Sequence, residues 1–148
     1  MNKKSSKKKH LSLVLTDEQK KFIKHLEKND VEIRQNNDDE ECFDIDGDVD
    51  LSGMGLVDIP IKFGIINGNL DISNNFFKKI ELNKILKDLK GNLILTDNHF
   101  LTRLENFSMQ DNVKVCKVKG EILCKNTSLV EKNVKFYKKL PEMEGLID

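Results

Sequence analysis

The chain has 148 residues, with 25 Lys plus Arg balancing 25 Asp plus Glu, so its formal net charge is zero. A length of this order fits one domain with a real core, and no apolar run approaches the roughly 18 residues of a membrane span. Cys42, Cys116 and Cys124 lack the spacing of a disulfide framework, and Leu11-Ser12-Leu13-Val14-Leu15 is too short for a signal-peptide core, so a reducing cytoplasm is the expected setting. The zero balance conceals segregation: residues 30–50 hold ten acids and one base, Arg34, whereas fifteen bases face eleven acids from residue 59 onward.

Residues 1–10 form a basic tail with Lys3, Lys4, Lys7, Lys8 and Lys9, expected to be disordered because lysine and serine bury nothing. Residues 11–42 are expected to be an N-terminal helical cap and an acidic linker. Thr16 and Gln19 make a capping box, Asp17 and Glu18 suit the first turn, and the helix should run to about Lys28 with Phe22, Ile23 and Leu26 on one face. Asn29 to Glu41 reads as a loop. From Phe43 to Leu51 the sequence alternates strictly, which predicts one strand with Asp44, Asp46, Asp48 and Asp50 on a solvated side. This run lacks the glycine and glutamate of a calcium loop at their required places.

Residues 43–130 carry a repeat. Glycines at 47, 68, 91 and 120 recur at separations of 21, 23 and 29 residues. Apolar columns accompany them: Ile45, Ile66, Leu89 and Val118 before the glycine, then Val49, Leu70, Leu93 and Ile122, then Leu51, Ile72, Leu95 and Cys124, and finally Leu56, Phe77, Phe100 and Leu129. Such a period is one turn of a solenoid, in which short strands bury their inward residues only by stacking. Asn75 and Asn98 are expected to point inward and satisfy backbone groups where the chain leaves its strand, with Met54 and Thr127 at that place in the end repeats. Of the returns, 59–63 should be extended, 80–89 a two-turn helix, and Val113 and Val115 part of an extra strand. Residues 131–148 should form an irregular C-terminal cap. The predicted fold class is therefore an α/β repeat: a leucine-rich-repeat-like solenoid with a parallel β-sheet.

The segments Ile59-Pro60-Ile61-Lys62-Phe63-Gly64, Gly68-Asn69-Leu70-Asp71-Ile72-Ser73-Asn74-Asn75 and Gly91 to Asn98 resemble a degenerate leucine-rich-like repeat of tailed-bacteriophage and low-GC or Bacteroidetes-type bacterial proteins. The resemblance spans about 85 residues, in the range of a single small domain. It implies architecture but no chemistry, because such proteins share no activity. Together with the Lys, Asn and Ile richness it brings in a phage setting, in which small proteins inhibit host defences inside the infected cell.

No catalytic constellation stands out. His10, His25 and His99 have no partners at ligand or triad spacing, and no phosphate-binding loop or nucleophile elbow occurs. The expectation is a non-enzymatic protein-interaction module needing no cofactor or metal. Its candidate protein-binding residues are the outward Asp44, Asp46, Asp48, Asp50, Asn69, Asp71, Asn92, Ile94, Thr96, Glu121 and Leu123. Ile94 and Leu123 are apolar where a solvated sheet would be polar, and either a partner or the chain's own 102–119 or C-terminal segment should cover them. The acids suit a positively charged partner, such as a nucleic-acid-binding effector. The alternative is association with nucleic acid through the five tail lysines and Lys132, Lys135, Lys138 and Lys139.

Overall fold

In the computed structural model residues 14–147 are described, and the tail lysines 3, 4, 7, 8 and 9 lie outside them. Helix α1 (Asp17–Glu27) starts where its capping box dictates: Thr16 Oγ1 accepts from the Gln19 N–H at 3.1 Å, and Gln19 Oε1 accepts from the Thr16 N–H at 2.9 Å. Phe22 and Leu26, one turn apart, are buried in the same apolar cluster as Val49 and Leu51. Gln19 also donates to the Pro60 carbonyl at 2.9 Å, fixing the helix on the first return segment.

Two sheets follow, parallel throughout except at one edge. The eight-stranded sheet runs β1 (Glu32–Gln35), β2 (Cys42–Asp46), β4 (Lys62–Asn67), β7 (Leu86–Leu89), β10 (Cys116–Val118), β9 (Arg103–Ser108) and β12 (Val134–Phe136), with β6 (Lys79–Glu81) also on β9. The five-stranded sheet runs β13 (Met143–Glu144), β11 (Ile122–Leu123), β8 (Leu93–Ile94), β5 (Leu70–Asp71) and β3 (Val49–Asp50). With one α-helix among the described residues, this is an α/β fold of parallel-rich mixed sheets. The single sheet expected from the sequence is thus two. The run 43–51 is not one strand: Gly47, at φ 130°, divides it between β2 and β3.

The apolar columns meet in register. Ile45, Ile66, Leu89 and Val118 lie side by side in the larger sheet. Val49, Leu70, Leu93 and Ile122 do so in the smaller one, each no more than 1% exposed. A two-residue strand can hold only because neighbouring passes of the chain bury its side chains, at about 1.5–3 kcal/mol for each large aliphatic.

Between each strand pair the chain turns a corner at glycine. Gly91 N–H donates to the Gly68 carbonyl at 3.0 Å and Gly120 N–H to that of Gly91 at 3.1 Å. A Cβ on Gly91 would stand 2.5 Å from the Gly68 oxygen, so any side chain there collides with backbone. At the far end of the small-sheet strands, Gly53, Asn74, Asp97 and Asn126 all adopt positive φ, between 53° and 65°. Glycine, asparagine and aspartate are the residues that accept this region at least cost. One place on, Asn75 donates to the carbonyls of Leu51 and Ile72 (both 3.0 Å) and accepts from the N–H groups of Met54 and Leu56. Asn98 donates to Ile72 and Leu95 at 2.9 Å, and Thr127 to Cys124 at 2.8 Å. The inward amides are where the sequence puts them.

Three further expectations need correction. The presumed loop 29–41 contains β1, antiparallel to β2, its short alternation hidden in a charged run. The presumed helix 80–89 is β6, a single 3-10 turn (Leu82–Lys84) and β7. Leu82, Ile85, Leu86 and Leu89 are buried, but the strands pair with β9, β4 and β10, a stronger outlet for their backbone than one isolated turn. Val113 and Val115 lie in a loop, with Val113 fully exposed, while β9 carries the buried Leu104 and Phe107.

Candidate protein-binding face

The register of the small sheet sets Asp50, Asp71, Ile94, Leu123 and Glu144 in one row. Their strand neighbours Val49, Leu70, Leu93 and Ile122 are buried, so this row faces away from the core. Ile94 and Leu123 are half-buried; neither expected extreme, full exposure nor full cover, describes them. The acids beside them are held in place. Asp50 accepts the Ser52 hydroxyl at 2.7 Å and its N–H at 3.0 Å, and Asp71 accepts the Ser73 N–H at 3.0 Å. The Ser52 hydroxyl and N–H keep the Asp50 carboxyl below the usual carboxylate range, helped by the charge of His25. Thr96 is half-buried, two residues beyond Ile94 on the same side.

The remaining expected binding residues make contacts within the fold. At the corner, Asp48 Oδ1 accepts the Asn69 N–H, Asn69 Oδ1 the Asn92 N–H, and Asn92 Oδ1 the Glu121 N–H, each at 2.8 Å. This ladder ties each pass to the next through one oxygen of each of its three side chains. It ends in crowding: Glu142, by its side-chain hydrogen bond and then its charge, raises the Glu121 carboxyl, with Glu144 adding to it. Asp44 is not on a solvated face. It is 7% exposed in the larger sheet, accepting from Asn36 Nδ2 at 2.9 Å and the Ile65 N–H at 2.8 Å. The switch of sheet at Gly47 leaves Asp44 and Asp46 on the larger sheet and carries Asp48 and Asp50 to the smaller one, Asp48 directly before its strand and Asp50 on it. Asp46 is likewise engaged, with Asn67 and Arg34, which hold it below the usual range.

The structure adds residues that the column reading missed. Phe77 and Leu129 of the last column are buried, but Phe100 is 56% exposed and Leu101 takes its place in the core. A turn at His99–Phe100, closed by the Leu101 N–H on the Asn98 carbonyl at 3.1 Å, inserts one residue and shifts the register. Phe76 is 52% exposed, and its ring lies 6.4 Å from that of Phe100 between centroids, tilted by 36°. These rings form an apolar ridge on the turns that follow β5 and β8, and exposed Met54 lies on the corresponding turn after β3. The Phe76-Phe77 pair carried a signal, since adjacent residues leaving a strand cannot both face inward.

The cysteines are free and buried. Burial pushes the thiols of Cys42 and Cys124 up to about 11 and that of Cys116 higher still. Thiols so far from ionising are poor nucleophiles near neutral pH. His99 is exposed, and its carbonyl accepts the Ser128 hydroxyl at 2.6 Å. Among the described residues no three His, Cys, Asp or Glu side chains group to hold a metal, and no helix is long and apolar enough to cross a membrane. Lys132, Lys135, Lys138 and Lys139 are exposed around β12. Comparison with known proteins finds no matching family, no matching curated protein and no matching solved structure.

Proposed function

We propose that this chain is a non-enzymatic protein-interaction module, a short solenoid of leucine-rich-like repeats whose small-sheet face and adjoining ridge grip another protein. The observation that carries the reading is the Phe76–Phe100 pair, two rings more than half exposed, next to a sheet row holding Ile94 and Leu123. Aromatic side chains presented on a rigid scaffold supply binding energy at small cost in ordering. The Asp50 and Asp71 carboxylates, fixed by their serine contacts, give the rim a negative sign that suits a positively charged partner, such as a nucleic-acid-binding effector of a host defence. On this reading the protein acts by covering that partner's surface, as a phage-encoded inhibitor in the cytoplasm of the infected cell would.

The test is capture of partners from the native host by the tagged chain, at low and moderate salt, with identification by mass spectrometry. A specific partner should persist at moderate salt and be lost from Phe76→Ser/Phe100→Ser and from Ile94→Lys/Leu123→Lys. Partners indifferent to all four substitutions would remove the face from consideration. A second reading, association with nucleic acid, draws on the four exposed lysines around β12, none of which forms an ion pair among the described residues. Binding that falls steeply as salt rises, with no protein captured, favours that reading.

A further inference from the structure

The two ends of the chain close differently. At the first pass, α1 sinks Phe22 and Leu26 into the core and β1 adds an antiparallel strand to β2. There β1 and β3 each leave one strand edge without a partner among the described residues. At the last pass β12 pairs only with β9 and β13 only with β11, so each also leaves one such edge, but no α-helix among the described residues packs there as α1 does at the first. Exposed Phe136, Tyr137 and Ile147 accompany these edges. An open, partly apolar edge is a site at which another strand can add.

Charge is sorted across this end. Lys132, Lys135, Lys138 and Lys139 surround β12 with one acid, Glu131, among them, while Glu142 and Glu144 bracket or lie on β13 beside Glu121, with one base, Lys125, next to Gly145. None of these four lysines, nor Glu121, Glu142 or Glu144, forms an ion pair among the described residues; Lys138 lies over the Tyr137 ring, 5.5 Å from its centroid. Glu142 and Glu144 lie close enough to Glu121 to raise its carboxyl, so like charge is crowded on the acidic half. The lysines would repel an identical β12 edge, so β12 against β12 is disfavoured. A surface that is basic on one half and acidic on the other is complementary to itself after a two-fold rotation.

We propose that a second copy of this chain docks on the C-terminal end, the Lys-rich β12 of each copy meeting the Glu-rich β13 of the other about a two-fold axis. Lysine then neutralises the carboxylates that crowd one another in a single copy, and the exposed apolar residues of the last pass are covered. Two such contacts form per dimer, so a charge change on either strand acts twice.

Sedimentation of the full chain over a range of concentrations tests this. Wild type should pass from monomer to dimer as concentration rises, with weaker association at higher salt. Lys138→Glu/Lys139→Glu alone and Glu142→Lys/Glu144→Lys alone should each self-associate about a hundredfold more weakly, since like charges then face each other. An equimolar mixture of the two variants should form a heterodimer, because both contacts become complementary again. Circular dichroism of each variant confirms that it is folded, and the mixture gives the answer without a more heavily substituted chain. Wild type that stays monomeric at every concentration overturns the proposal. So do variants that dimerise as wild type does, a mixture of folded variants that remains monomeric, and a wild type that binds an added nucleic acid but not a second copy of itself.

Discussion

At the corner holding Gly68, Gly91 and Gly120, the backbone of one pass touches the next, and the side chains there, Asp48, Asn69 and Asn92, each spend one oxygen on the neighbour's N–H group. At the opposite end of the same small-sheet strands, Asn75 and Asn98 take over the backbone bonding from within, and Phe76 and Phe100 are released to the surface. Both regions recur with the repeat, yet only the second has side chains to spare. On the proposed reading, a polar residue in a repeated outward position is therefore a poorer candidate for binding than an apolar one beside an inward amide.

This contrast can be broken by substitution. The largest effect is expected for Gly91→Ala, which drives a methyl against the Gly68 carbonyl and should cost about 3 kcal/mol or more in urea denaturation. A cost near zero would mean that the passes are not this close. Asn98→Ala leaves the Ile72 and Leu95 carbonyls without their donor in a buried site, for an expected loss of about 2–3 kcal/mol. Asn92→Ala, at the half-buried corner, should cost only about 1 kcal/mol and leave partner capture unchanged. Loss of capture without loss of stability would return the corner to the binding face. Phe76→Ser should change stability by no more than about 0.5 kcal/mol yet abolish capture. The smallest effect concerns pH. The Glu121 carboxyl is raised in the folded chain, so its contribution to stability is complete below the ordinary carboxylate range and is lost as pH rises through the raised value. Glu121→Gln should flatten that part of the stability–pH curve, and an unchanged curve would place the crowding elsewhere.

The sequence revealed the features set by exclusion from water and by backbone collision. The columns through Ile45 and Val49, the glycine corners and the inward Asn75 and Asn98 could be read because each is repeated and each has one physical cause. The two sheets could not, since strict alternation from Phe43 to Leu51 is the same whether the chain runs straight or bends at Gly47. The helix expected over 80–89 failed because apolar spacing of three and four arises equally from strand, one turn and strand. In the face, Ile94 and Leu123 were found as breaks in a polar row, but Phe100 was hidden by a one-residue insertion that only the Asn98–Leu101 turn discloses.

All of this depends on successive passes lying in register through Val49, Leu70, Leu93 and Ile122. Methyl-labelled nuclear Overhauser spectroscopy reads that stacking directly. The expected result is an unbroken chain of contacts from Val49 to Leu70, Leu70 to Leu93 and Leu93 to Ile122. Methyl groups of these four residues that each see a different, unrelated segment would contradict it.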